Sequence, residues 1–455
     1  MLPHPDRDID LAACDMRAAI AASGGGLRRP AMSPDAAAAE VAARFVGPPA
    51  RPRQGDEPVL IYPQGAAPAL CFGLYGGERR VRDWLPGLPG RIAPGPLAGF
   101  AGVAPRWAKT GLHAERPVDL TALPVPQVTP RDAGRYLTMG FVMAQAPDGS
   151  MAISAHRMLI LGPDRLGIWM LPGRALRQLA QAAHDAGRSL PVTINIGVPP
   201  AVAIAAATST ATLPRALDKL AIAGALAGRP ISLTRGSAAP FLTHAEIVLE
   251  AELTTDTVPE ALPGAPLAGS MPEFLGYDGH GVPELHVLRL TRCLTRPDAL
   301  FQTVIGPGRE QSVILGLGGA LSLGLALSPD WGLHDLRFAP AGGGMLLLYA
   351  ALAGDGPRDL AALARAMAGV CPFLKTVVFV DDDIDISCDE DVLWALTTRA
   401  QLAQDCHALP GFRPLGMDPS QSPEWQAARG TSVFKSYVDA TVPPPLRPAF
   451  RRALP

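Results

Sequence analysis

Residues His244–Gly279 read HAEIVLEAELTTDTVPEALPGAPLAGSMPEFLGYDG. From His244 to Leu253 the alternation is strict. Ala245, Ile247, Leu249, Ala251 and Leu253 fall on one side, and His244, Glu246, Val248, Glu250 and Glu252 on the other. Period two over ten residues predicts a half-buried β-strand, with the glutamates on its solvated face unless a site uses them. The strand runs into a long Gly/Pro loop that ends in Pro-Glu-Phe-Leu-Gly-Tyr. A strand holds a loop firmly, and a carboxylate on such a loop is placed for acid–base work.

Working outward, the 455 residues exceed one ordinary core and predict two or three domains. A hydrophobic share of 48% with 18% charged residues excludes a disordered chain. A net charge of -2 argues against general nucleic-acid binding. Basic residues are overwhelmingly arginine; the lysines are Lys109, Lys219, Lys375 and Lys435, so each is worth tracing. The cysteines (Cys14, Cys71, Cys293, Cys371, Cys388, Cys406) show no CxxC or zinc-ligand spacing, which predicts free thiols in a reducing compartment. No apolar signal-peptide core and no run of about 18 apolar residues is present. The expectation is a soluble, cytoplasmic protein with neither membrane nor nucleic acid as partner.

Pattern and turn residues divide the chain into an N-terminal α/β domain (1–105), a central domain (106–310) and a C-terminal α/β domain (311–455). Tyr136–Gln145 and Met151–Leu161 read as strands joined by Pro147-Asp148-Gly149, a hairpin signal. Leu166–Leu171 and Leu190–Ile196 are further strands, Arg174–Ala186 a helix, and Leu213–Ala227 a helical stretch. Glu284–Cys293 is a strand. Antiparallel strands with interspersed helices predict a barrel-like α+β centre. The last third alternates strand and helix, which predicts a layered α/β domain. A basic stretch near the end, LRPAFRRAL, reads as a late helix. Three minor features are weaker. The acids Asp381, Asp382, Asp383 and Asp385 follow a buried strand and read as structural. Gly197-Val198-Pro199-Pro200 opens a helix without a nucleotide-binding fingerprint. His244 and His280 are lone histidines.

Seven segments occur in one family's order: VDLTALPVPQVTPRDAGRYLTMG, SAHRMLILGPDRLGI, NIGVPPAVAIAAATS, THAEIVLEAEL, PEFLGY, DDDIDISCDEDVLWALTTR and FKSYVDAT. On these the chain resembles the UbiD-like decarboxylases across roughly residues 117–441. The resemblance implies a multidomain α+β and α/β fold: an N-terminal α/β domain, a central FMN-binding split β-barrel and a C-terminal α/β oligomerisation domain. It implies reversible decarboxylation of an aromatic or α,β-unsaturated acid with prenylated FMN as electron sink. It places Arg157 in a Glu-Arg-Glu network that orients the acid, Glu273 as the proton donor, Lys435 near the cofactor, and Thr138 and Ser154 in the cofactor pocket. Arginine suits such a task because it stays charged and grips carboxylates bidentately.

The chain also departs from that family. The family holds the flavin phosphate through a divalent metal, typically manganese. Its ligands are an Asn five residues before the arginine, a His eighteen after it and a Glu in a later helix. Here the first two positions are Ala152 and Ala175, and the third falls near Ala216 or Leu217, with Asp218 close by. Alanine has no donor atom, so the usual manganese site is expected to be absent. The network's second glutamate is replaced by Ala268. Arg174, Arg177 and His156 stand beside these positions, and a guanidinium could take over the metal's charge on the phosphate. Two readings follow. One is a prenyl-FMN decarboxylase with altered phosphate binding, acting on a small carboxylic acid as a homo-oligomer or paired with a related subunit. The other keeps the fold without the cofactor, as an accessory subunit, a pseudoenzyme or an enzyme with another cofactor.

Overall fold

The computed structural model describes residues 11–46, 56–211, 213–237, 239–262, 277, 279–306, 308–354, 359–430 and 432–450. Ala268 and Glu273 therefore lie outside the described residues. The chain forms two compact units: residues 1–87, 101–207 and 214–313, and residues 88–100, 208–213 and 314–455.

The first unit is built on a closed antiparallel barrel. Its strands are β1 (Tyr136–Gln145), β2 (Met151–Gly162), β3 (Arg165–Ile168), β4 (Leu190–Ile196), β5 (Ile247–Val258) and β6 (Leu285–Thr295). They run in the order β5-β4-β1-β2-β3-β6, and β5 pairs with β6 to close the ring. Closure removes the exposed strand edges that an open sheet would present. Residues 146–150 turn β1 into β2, with Gly149 at φ 85°, where a side chain would be strained. Val142, Met158, Leu166, Ile194, Leu249 and Leu288 are fully buried members of one apolar core.

The central strand departs from the sequence expectation. Glu246 and Glu250 are not on a solvated face; they are 0% and 1% exposed. The face of β5 that carries them is covered. Glu246 receives two hydrogen bonds from Arg17, at 2.8 and 2.7 Å, where helix Met16–Ala22 reaches the strand. Arg296 Nη1 adds a third at 3.2 Å and the Leu300 amide a fourth at 3.0 Å. Glu250 accepts from the Ser237 amide and hydroxyl and pairs with Arg292 at 3.4 Å. Each buried charge is thus matched, as burial requires. His244 is likewise structural, bound to Asp15 at 2.9 Å. Gly197 makes this packing possible. It sits at φ 66°, and a Cβ there would lie 2.6 Å from Glu246 Cγ.

A four-stranded sheet flanks the barrel strands in sequence, with Leu60–Gln64 and Ala67–Phe72 between Leu27–Arg28 and Leu300–Gln302. Beneath it lie two carboxylates. Glu310 accepts the Gly73 and Tyr75 amides at 2.8 and 3.0 Å. Burial pushes Glu310 up to about 7, and burial with the charge of Glu310 pushes Glu57 up to about 8.

The second unit has a five-stranded sheet: β7 (Leu333–Phe338), β8 (Leu347–Leu352), β9 (Thr376–Asp381), β10 (Cys406–Leu409) and β11 (Lys435–Ala440), in the order β7-β8-β9-β11-β10. The three central strands are parallel and the two outer ones antiparallel to them. Helices Leu360–Val370 and Asp389–Arg399 fall between strands, the alternation expected of an α/β layer. Asp381 accepts from Arg399, Arg447 and the Val442 amide, so this part of the acidic run ties the sheet to the chain's end. The described part of the expected late basic helix lies in a 3-10 segment, Pro444–Phe450, where Pro448 removes a helical donor, and residues 451–454 lie outside the described residues. All six cysteines are free, and Cys406 is exposed. Among the described residues no helix is long and apolar enough to cross a membrane.

Two consequences are measurable. Glu246→Ala strands Arg17 and Arg296 and is expected to cost about 3 kcal/mol in urea unfolding, the scale of a broken buried ion pair. Glu252→Gln, on a half-buried residue of the same strand, is expected to change it by less than about 0.5 kcal/mol; equal effects would refute the assigned role of Glu246. Glu57 and Glu310 bind protons more tightly folded than unfolded. Their contribution is therefore present at low pH and lost as pH rises through 7 to 8. The melting temperature should fall from about pH 5 to about pH 8 and level off above it, and Glu57→Gln should flatten that slope; an unchanged slope in the variant would exclude the pair as its source.

Candidate active site

The barrel carries most of the residues singled out in the sequence, and β2 carries three of them. Ser154 and His156 share one face of this strand by its pleat. The His156 ring accepts from the Ser154 hydroxyl at Nε2 (2.8 Å) and donates from Nδ1 to the Trp169 carbonyl (3.2 Å). That pattern fits a neutral ring. Burial, with the charge of Lys219 as a lesser cause, pushes its pKa down to about 4.

Arg157 follows on the other face of the pleat, toward Glu260 and Tyr136. Its Nη2 lies 3.4 Å from Glu260 Oε1, and Glu260 is 1% exposed. The same oxygen accepts the Tyr136 hydroxyl at 3.0 Å, and Oε2 accepts the Val282 amide at 3.1 Å. Burial and then the Glu260 charge hold the Tyr136 phenol well above its usual range, so it stays a donor. The arginine thus has a buried carboxylate partner that is neither Glu273 nor the position of Ala268. Glu260 was missed because Val-Pro-Glu-Ala reads as the start of the Gly/Pro loop. The signal available was a lone acid two residues beyond the end of a strand.

Thr138 lies on β1, where the pairing to β2 slips between Leu137 and Gly140. Its hydroxyl pairs with that of Thr303 at 2.8 Å and accepts the Val304 amide at 3.2 Å. The neighbouring Gln302 is 1% exposed, and neither atom of its side-chain amide has a partner among the described residues. Such an orphan needs an explanation, and a bound polar group is one.

Arg174 and Arg177 separate. Arg174 caps the start of helix Ala175–Asp185 without a side-chain capping bond, exposed and with its charge felt at Lys219. Arg177, one turn later, donates to His286 Nε2 on β6. Lys219 was not among the expected site residues. It opens helix Lys219–Leu226, and its ammonium donates to the Ala206 carbonyl at 2.6 Å. Burial, with Arg174 second, pushes it down to about 8. Asp218, considered near the third metal position, instead accepts the Ala221 amide at 2.8 Å as that helix's cap. Ala216 and Leu217 lie in the 3-10 turn before it. Among the described residues no three His, Cys, Asp or Glu side chains converge as a metal site would need.

Lys435 belongs to the second unit. It is 6% exposed on β11, and its ammonium donates to the carbonyls of Pro372 (2.7 Å) and Leu374. Burial lowers it to about 8.

Residues 104–310 match the model described as 3-octaprenyl-4-hydroxybenzoate carboxy-lyase Rift-related domain, and residues 315–440 match that carboxy-lyase's C-terminal domain. Gallate decarboxylase of Lactiplantibacillus plantarum is 33% identical over 342 residues, covering 72% of this chain and 69% of the relative. The apo structure of 3,4-dihydroxybenzoic acid decarboxylase from Enterobacter cloacae is 29% identical, with 96% of both chains covered and a TM-score of 0.84. The UbiD-class enzyme HmfF from Pelotomaculum thermopropionicum, solved in complex with FMN, is 25% identical, with 96% of both chains covered and a TM-score of 0.76. The ordered motifs, the barrel and these matches together make the chain a member of the UbiD decarboxylase family.

Proposed function

We propose that the chain is a carboxy-lyase that reversibly decarboxylates an aromatic or α,β-unsaturated carboxylic acid with prenylated FMN. The observation that carries this is the Arg157–Glu260–Tyr136 group. A cation that can meet a carboxylate is held from behind by a buried acid, which in turn accepts from a protonated phenol. The orphaned amide of Gln302 supports a bound polar cofactor in the same unit. When bound, prenylated FMN supplies the sink for the electron pair left as the C–COO bond breaks. The chain's own residues do the rest. Arg157 binds and orients the substrate carboxylate, and Glu260 fixes the guanidinium so that its position is set before substrate arrives. Glu273 delivers the proton that replaces carbon dioxide on carbon. Thr138, Ser154 and His156 are assigned to the cofactor pocket, with Arg174 on the phosphate side. Arg177, committed to His286, supports the barrel wall there, and Lys435 is committed to the Pro372 and Leu374 carbonyls of its own unit. The substrate class follows the relatives, whose names specify gallate and 3,4-dihydroxybenzoate. Ala152 and Ala175 favour the second reading, a flavin-free member of the family.

The chain co-expressed with a flavin prenyltransferase should purify with flavin absorbance and release carbon dioxide from gallate, 3,4-dihydroxybenzoate or another acid of this class. A colourless protein would select the flavin-free reading. In the coloured enzyme Arg157→Lys should lower kcat/KM about 100-fold, because the fork that orients the acid is lost. Glu260→Gln should lower it about tenfold with the flavin retained, because the arginine loses a charged anchor. Full activity in Arg157→Lys would remove the assigned role of the arginine.

A further inference from the structure

Lys219 and Arg174 form a pair of like charges for which the described structure holds no counter-charge. The Lys219 ammonium has three donors, and the Ala206 carbonyl takes one of them. Its sequence neighbour Asp218 is turned away, capping the helix through the Ala221 amide. Arg174 makes no side-chain ion pair among the described residues; its charge acts on Lys219, and that of Lys219 acts on His156. His156 adds no negative charge, being a neutral ring tied to Ser154 and Trp169. The buried carboxylates of the barrel strand and the loop after it are matched: Glu246 with Arg17 and Arg296, Glu250 with Arg292, and Glu260 with Arg157. A half-buried ammonium that feels the charge of an exposed guanidinium, with no anion among the described residues, raises the free energy unless a ligand completes it.

The place is also specific. Helices Ala175–Asp185, Pro200–Ala206 and Lys219–Leu226 all pack on β2, which carries Ala152, Ser154 and His156. Arg174 and Lys219 stand at the starts of two of these helices. Ala152 and Ala175, which offer no donor to a metal, belong to the same strand and to the first turn of one of the same helices. The donors here are nitrogen cations, which repel a divalent ion and attract a phosphate. A divalent metal does not fit these residues.

We propose that Lys219 and Arg174 hold the phosphate of a flavin mononucleotide directly, so that this chain takes up flavin without a divalent metal. The inference rests on the flavin reading given above. It adds Lys219 as the principal anion-binding residue and makes metal independence a property of the chain.

The test is a fluorescence titration of the flavin-free chain, dialysed against EDTA, with FMN and with riboflavin, which lacks the phosphate. FMN should bind about tenfold or more tightly than riboflavin, the effect of one or more charge-assisted hydrogen bonds. The FMN affinity should be the same within about twofold in EDTA and in added manganese, since no metal contributes to it. Lys219→Met should bring the FMN-to-riboflavin ratio toward one and leave riboflavin unchanged. Arg174→Gln should act in the same direction. Arg174 is exposed, so this variant keeps the test valid if Lys219→Met fails to fold, as judged by thermal melting. An unchanged ratio in both folded variants, or FMN binding that requires manganese, overturns the inference alone. Binding of neither flavin overturns the flavin reading, and the inference with it.

Discussion

Closure of the barrel between β5 and β6 is the constraint on which the first unit depends. Ile247 pairs with Thr295 at one end and Val258 with Leu285 at the other, with irregularities after Glu250 and Leu253 that let the long strands bend. The pairing does not stop where the strands do. Two residues beyond β5 the Glu260 amide donates to the Val282 carbonyl at 2.9 Å, and the Val282 amide returns a bond to the Glu260 side chain. The same ladder that seals the ring therefore clamps the residue that holds Arg157. Fold and candidate chemistry share one set of backbone bonds, and loss of closure would release the acid from the arginine.

Charge is handled differently in two parts of this unit. The outer face of β5 uses carboxylates as structural ties, each met by an arginine from another part of the sequence. Arg17 reaches Glu246 from the N-terminal helix, and Arg292 reaches Glu250 from β6. Such pairs specify which segments meet, because a mismatched partner would leave a buried charge uncompensated. The cluster at Lys219 and Arg174 breaks that rule, and it does so beside the strand that carries Ser154, His156 and Arg157. A departure from the charge matching seen along β5 is the kind of local conflict expected at a functional site rather than in a scaffold.

Much of the fold was legible from local pattern, and the parts that were not have physical reasons. β1 and β4 appear as expected, because alternation and turn residues are local signals. The burial of Glu246 and Glu250 was not legible: period two separates two faces but does not say what covers the second one. The strand β11 was also missed. Lys435, Ser436 and Asp439 interrupt its apolar pattern, and Lys435 is buried only because the Pro372 and Leu374 carbonyls receive its charge. Of the candidate site, Arg157 came from motif order, whereas Glu260 and Lys219 depend on partners more than a hundred residues away or on another helix. The scarcity of lysine marked Lys109, Lys219, Lys375 and Lys435 alike and could not single out Lys219.

The substitution pattern around the phosphate side then has an electrostatic logic. In the resembled family a divalent ion held by one glutamate, one asparagine and one histidine presents a single net positive charge to the phosphate. On the resemblance, Ala152 and Ala175 stand where the asparagine and histidine donors would be, and loss of those two donors alone would leave a carboxylate facing the phosphate. A lysine in the cluster supplies the same single positive charge with no ligands to position, and Arg174 adds a planar donor suited to phosphate oxygens. On the phosphate site proposed above, the missing donors and the cations are in this sense one change. Losing the metal ligands alone would argue for a dead site, whereas losing them beside an uncompensated lysine–arginine pair argues for a phosphate site rebuilt from side chains.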